Sequence, residues 1–199
     1  TCPKLVRVNG SGVWVISGPS GVGKGTVCAR LRTAHPEAFY SVSMTTRPAR
    51  KGEVDGVHYH FVDVDEFRGL IERGELLEWA VVHGTNYYGT PKAPVESALG
   101  QGRCVVLEID LQGARQVKRN LPEARLVFLE PPSWDELVER LRGRGTEDEA
   151  TQARRLETAK RELEAGSEAD HRIVNVEIEE TVAALVGLLG LACDPLIEG

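Results

Sequence analysis

The run Gly18-Pro19-Ser20-Gly21-Val22-Gly23-Lys24 most constrains what this chain can fold into. It follows an apolar segment, Val13-Trp14-Val15-Ile16, that reads as a strand. It precedes a segment that reads as a helix to about Thr33, closed by Pro36. Strand, Gly-rich turn and helix in that order are the context of the G-x-x-x-x-G-K phosphate loop. Glycines let the backbone curl so that its N–H groups converge on phosphate oxygens. The helix adds the positive end of its dipole, and Lys24 adds a point charge for β- and γ-phosphates. Gly18, Pro19, Ser20, Gly21, Val22, Gly23, Lys24, Gly25 and Thr26 are therefore the expected seat of a nucleoside triphosphate.

Further along, Cys104 to Asp110, Arg125 to Leu129 and Arg172 to Val176 are nearly continuous apolar runs, as expected of parallel strands covered on both faces. Ser133 and Glu136 predict a capping box opening a helix over about 133–142, and Thr146 and Glu149 a second, to about 165. That second helix reads as polar nearly all round, which suits a mobile flap more than a core element. A final helix over about 179–190 is apolar enough to dock on the sheet. Between about 41 and 95 the pattern changes. Val57 to Val62 alternates, Leu76 to Val82 is a second strand, and turn residues surround both. This predicts a small mixed-sheet lobe inserted between βα units.

The composition, 199 residues with 41% hydrophobic and 27% charged content, supports one sizeable core with small appended lobes. A net charge of -6 argues against nucleic-acid binding through bulk electrostatics, so an anionic ligand needs a local basic cluster. Cys2, Cys28, Cys104 and Cys193 form no CxxC pair, which fits a reducing, cytoplasmic setting without a zinc site. No stretch reaches the length of a membrane span, and Thr1-Cys2-Pro3-Lys4 lacks a signal-peptide core. Met44 is the only methionine, so the start of the natural chain is expected upstream. His58 and His60 are expected on a polar strand face rather than on a metal. Trp14, Trp79 and Trp134 are expected to be packing residues. Oligomeric state is not readable.

Ser43-Met44-Thr45-Thr46-Arg47-Pro48-Ala49-Arg50-Lys51-Gly52-Glu53 closely resembles the GMP-binding signature of guanylate kinases. The resemblance runs from about Val13 to Asn175. It takes in Asp55 to Phe61, Glu78-Trp79, Asn86 to Thr90, Glu108 to Gly113 and Arg140 to Thr146. It implies an α/β fold: a three-layer P-loop NTPase core with a mostly parallel sheet, an inserted GMP-binding lobe and a helical lid. The expected division is core at 1–40, 96–139 and 166–199, lobe at 41–95 and lid at 140–165, within one domain of about 11–192. The implied activity is transfer of the γ-phosphoryl group of ATP to GMP or dGMP, in purine nucleotide metabolism. By spacing alone, Arg47 and Arg50 can both reach one phosphate.

The resemblance also assigns roles. Arg47, Arg50, Tyr59 and Tyr88 would hold the GMP phosphate, with Glu53 orienting the arginines. Glu78 would accept the two donors of the guanine edge, with Ser43 and Thr90 on other polar atoms and Asp110 on the base or ribose side. Lys24, Arg47, Arg140, Arg144 and Arg155 would neutralise the moving phosphoryl group. Asn175 would lie beside the adenine. Mg²⁺ is the expected companion of ATP. The usual Ser or Thr after the loop lysine is replaced by Gly25, as in the G-K-G-T run of adenylate kinases, so Thr26 or water is the expected ligand. Glu108 would meet the ion through water, or else form a buried ion pair. Two other classes remain: a related kinase of another small molecule, and a guanylate-kinase-like binding module without catalysis. A GTPase-type switch is disfavoured by the lack of an N-K-x-D motif.

Overall fold

A computed structural model describes residues 11–82, 85–142 and 149–191 of the chain. In chain order its first half comprises β1 (Gly12–Ser17), α1 (Lys24–Ala34), β2 (Phe39–Tyr40), β3 (Met44–Thr45), β4 (His60–Phe61), α2 (Val64–Glu72), β5 (Leu76–Val82), β6 (Asn86–Pro91) and α3 (Lys92–Gly100). Its second half comprises β7 (Cys104–Glu108), α4 (Leu111–Asn120), β8 (Arg125–Glu130), α5 (Trp134–Arg142), α6 (Glu149–Glu164), β9 (His171–Val174) and α7 (Ile178–Leu189).

One five-stranded sheet, ordered β2-β7-β1-β8-β9, is parallel throughout. Successive side chains of a strand point to opposite faces. Along β1, Trp14 and Ile16 meet Val27 and Leu31 of α1 and Leu185 and Leu189 of α7 on one face. Val13 and Val15 meet Val95 of α3 and Leu111 and Val117 of α4 on the other. Three layers follow, as the apolar runs predict. Each buried Val, Leu or Ile contributes about 1.5–3 kcal/mol relative to exposure. The strands end together, so β1 delivers the phosphate loop beside Glu108 of β7.

A second sheet, ordered β4-β3-β6-β5, is mixed: β3 runs parallel to β4 and antiparallel to β6. Its β5 edge is capped by side chains of α4. The Gln116 amide donates to Trp79 O at 2.8 Å and accepts from Trp79 N at 3.2 Å. Asn120 donates to Leu77 O at 2.6 Å. These amides stand in for a neighbouring strand, covering an edge that otherwise invites foreign pairing. They also fix the smaller sheet to the helix that starts at Asp110.

The structure departs from the sequence reading in three places. The alternating 57–62 run forms only the short β4, because Gly56 and Tyr59 close a turn and the His58 ring accepts a 3.0 Å bond from Val54 N. His58 and His60 therefore do not share a strand face. α6 is not polar all round: Ala159 is fully buried, and Leu156 and Leu163 pack with Leu137 and Leu141 of α5. That stripe is too narrow to stand out among so many charges. Of the tryptophans, Trp14 is buried, but Trp79 and Trp134 are 38% and 40% exposed.

Candidate active site

Three loop glycines adopt positive φ: Gly18 at 149°, Gly21 at 85° and Gly23 at 99°. A Cβ on Gly18 would lie 2.5 Å from Leu129 O, and one on Gly23 would lie 2.8 Å from Asn175 Nδ2. Backbone conformation and close approach thus both demand glycine. Lys24 Nζ donates to Gly18 O and, at 3.4 Å, to Pro19 O. Burial lowers the Lys24 pKa, against the pull of the Glu162, Glu108 and Asp110 carboxylates.

Asn175 is buried behind this loop. Its Nδ2 donates to Val22 O at 2.7 Å, and its Oδ1 accepts from Thr181 Oγ1 of α7 at 2.8 Å. The amide is thus committed to bracing the loop. Asn175 also lines an open cleft of about 540 Å³ with Gly21, Thr26, Arg140, Val176 and Ile178.

Across the molecule, Arg47 is buried and oriented on several sides. Its two Nη groups fork onto the Glu53 carboxylate at 2.6 and 2.7 Å. Its Nε donates to the Tyr88 hydroxyl at 3.0 Å, and Nη1 donates to Pro48 O at 3.0 Å. The guanidinium stacks over the Tyr59 ring at 5.0 Å, a cation–π contact. The Arg47 fork and the Arg50 main-chain N–H, 2.7 Å away, hold the Glu53 carboxyl down at about 2. The Arg50 side chain is exposed. Arg47, Tyr59 and Tyr88 thus assemble one cationic, hydroxyl-rimmed surface.

Glu78 and Thr90 form a cross-strand pair on β5 and β6. Both are buried, and Thr90 Oγ1 donates to Glu78 Oε1 at 2.6 Å. Glu78 Oε2 lies over Gly113 of α4, where a Cβ would come within 2.8 Å. Burial pushes the Glu78 carboxyl up to about 7, with the Asp110 charge adding to the rise and Thr90 opposing it. Asp110 caps α4, its Oδ1 accepting from Gly113 N at 2.7 Å. Gly113 enters the sequence reading only as the end of the Glu108–Gly113 motif, without a role; a glycine inside a helix was the further signal.

Ser43 and Tyr59 line a smaller cavity of about 130 Å³ with Cys28, Arg32, Ser41 and Glu108. Glu108 opens onto the cleft yet is crowded by protein. That crowding raises its pKa, while Lys24, the Cys28 thiol and Arg32 hold it down. The Cβ position of Gly25 lies 3.6 Å from Glu108 Oε1, so the missing side chain leaves space beside this carboxylate. Thr26, the next residue, lines the larger cleft.

Arg140 donates to Glu136 Oε2 one turn away at 3.2 Å while lining the larger cleft. Arg155 Nη2 donates to Ser20 Oγ at 3.3 Å, joining α6 to the loop. Glu162, which the sequence reading passed over, accepts from Ser20 N at 3.3 Å. Arg144 and Thr146 lie outside the described residues.

A profile of the guanylate kinase family matches residues 11–190. A guanylate kinase of Leifsonia xyli subsp. xyli is 59% identical over 175 residues, which cover 88% of this chain and 69% of that protein. One from Streptomyces coelicolor is 58% identical over 174 residues, covering 87% of this chain and 88% of the relative. Among solved structures, guanylate kinase from Anaplasma phagocytophilum matches with a TM-score of 0.74 at 34% identity, covering 92% of this chain and 87% of that one.

Proposed function

This chain belongs to the guanylate kinase family, and from that membership we propose that it transfers the γ-phosphoryl group of Mg-ATP to GMP, giving ADP and GDP. The observation that carries the choice of GMP is Glu78, a buried carboxylate held through Oε1 by the Thr90 hydroxyl. Guanine offers two adjacent donors, N1–H and N2–H₂, to such a group. Adenine offers an acceptor at N1 and would leave the carboxylate buried and unpaired, which discriminates by orders of magnitude. Ser43 and Asp110 would meet remaining polar atoms of the nucleoside.

The Arg47–Tyr59–Tyr88 surface, with Arg50 beside it, takes the GMP phosphate, and Glu53 keeps the Arg47 fork in place. The phosphate loop, from Gly18 to Thr26, takes the ATP phosphates. The acceptor phosphate is already ionised near neutral pH, so no general base is required. The task is to bring two polyanions together and neutralise charge on the group in transit. Lys24, Arg140, Arg144 and Arg155 supply that charge. Mg²⁺ arrives with ATP. Glu108, with the space left by Gly25, fits a hydrated cation, and the Thr26 hydroxyl, one residue on, is the other candidate ligand. Mg²⁺ would neutralise phosphate oxygens there.

Residues 41–95 act as the GMP lobe and 140–165 as a lid whose closure excludes water from the transfer. No helix among the described residues is long and apolar enough to cross a membrane. The buried free thiols Cys28 and Cys104 suit the cytoplasm.

The test is ADP formation with Mg-ATP against GMP, dGMP, AMP, CMP and UMP. Strong turnover with GMP and little with AMP is expected. Equal turnover with AMP would remove the guanine assignment, and no turnover with any acceptor would favour a binding module.

A further inference from the structure

The phosphate loop carries a carboxylate at its mouth. Glu162 Oε2 of α6 accepts from the Ser20 main-chain N–H at 3.3 Å. Among the carboxylates near Lys24, Glu162 exerts the largest pull on the ammonium. Two turns earlier on the same face of α6, Arg155 donates to the Ser20 hydroxyl at 3.3 Å. Ala159, between them, is fully buried against α5. One face of a helix thus holds a single loop residue by its main chain and its side chain.

These contacts differ in what ATP does to them. Arg155 is a cation and gains from incoming phosphates. Glu162 is an anion on a loop amide whose chemistry suits phosphate oxygens, and its charge also bears on Lys24. A triphosphate brought alongside it repels it strongly at short range inside protein. We infer that Glu162 is an intramolecular competitor of the ATP phosphates: it occupies the Ser20 amide until ATP displaces it, and its displacement couples ATP arrival to movement of the helix that carries Arg155.

The inference rests on the ATP reading of the loop. It assigns α6 a switch rather than a loose flap. The packing of Leu156, Ala159 and Leu163 on α5 supplies one resting position, and release of Glu162 lets the helix leave it. The competition lowers ATP affinity and confines full engagement of the lid to the ATP-bound protein.

Calorimetry of the full chain with a Mg-bound, non-hydrolysable ATP analogue tests this. Glu162→Gln keeps the shape and removes the charge, and it should bind the analogue about tenfold more tightly than wild type. GMP affinity should stay unchanged, and KM for ATP should fall without a rise in kcat. Glu162→Ala removes the same charge and should shift analogue binding in the same direction, so the test does not depend on one variant folding. A purely structural latch would instead lower Tm and leave analogue affinity equal or weaker; that result in the variants overturns the inference. Failure of the wild type to bind the analogue would overturn the ATP reading itself, and the competitor role with it.

Discussion

Glu78 and Thr90 face each other across the β5–β6 pair, and the Thr90 hydroxyl donates to Glu78 Oε1 at 2.6 Å. Hydrogen bonding from Thr90 does not compensate a carboxylate buried this deeply, with Asp110 adding like charge nearby. The site is therefore strained toward the protonated acid until a ligand brings donors. Binding and stability are set against each other at this residue.

Glu78→Ala should erode selectivity for GMP over other monophosphates by about two orders of magnitude in kcat/KM, while ATP binding stays nearly intact. Steady-state kinetics across the acceptor panel decide it. Unchanged base selectivity would show that another group reads guanine.

The pH dependence has a definite sign. The Glu78 carboxyl sits at about 7, above its ordinary 4.5. Guanine donors require the ionised form, so GMP affinity should fall as pH drops below 7, by up to about tenfold per unit. For folding, a raised carboxyl means stability fully present below about 4.5 and lost as pH rises through 7. At pH 8 the ligand-free protein therefore carries a cost of about 3 kcal/mol that Glu78→Gln relieves. Glu53 behaves oppositely. Its value of about 2 lies below the ordinary one, so its support of Arg47 is present above about 4.5 and lost only as pH falls through 2. GMP calorimetry between about pH 5.5 and 8.5 separates the two. An acid limb that survived in Glu78→Gln would belong to some other group.

The sequence made some of this legible and concealed the rest for physical reasons. The phosphate loop could be read because Gly18 and Gly23 have no alternative: positive φ and backbone or amide contacts both exclude a side chain. β1, β7 and β8 could be read because both faces of a parallel sheet are covered, leaving unbroken apolar runs. Glu53 entered with the family resemblance, but its fork on Arg47 is a feature of the fold. Glu162 had no local signature. It is one acid in a charged helix, and its partner Ser20 lies 142 residues away. The His58 turn was hidden because alternation of His, Tyr, His and Phe imitates a strand, while Gly56 and the His58 ring favour a turn.

Lys24→Ala should abolish phosphoryl transfer while leaving GMP binding within about twofold of wild type, because Lys24 is charged with the ATP phosphates alone. Single-turnover kinetics and GMP calorimetry on one preparation check both halves. A matching loss of GMP affinity would mean that the lysine also organises the lobe.

Asn175 and Thr181 offer a way to perturb the loop from behind. Asn175 spends its amide on Val22 O and the Thr181 hydroxyl, so Asn175→Ala takes the side-chain donor from a loop carbonyl and leaves the Thr181 hydroxyl only Glu177 O. The cost should be about 2–4 kcal/mol, with a rise in KM for ATP of about tenfold or more. Thr181→Val removes only the hydroxyl on α7, which also reaches Glu177 O, and should cost about 1 kcal/mol. Thr181 is 2% exposed and lines neither cleft, so any change it makes in KM for ATP must travel through Asn175 and the loop. The double variant should then show little further loss of ATP binding beyond Asn175→Ala, since the amide through which Thr181 acts is already gone. Additive losses would mean that α7 supports the loop by a separate route, and a parallel rise in KM for GMP would mean that the damage is global.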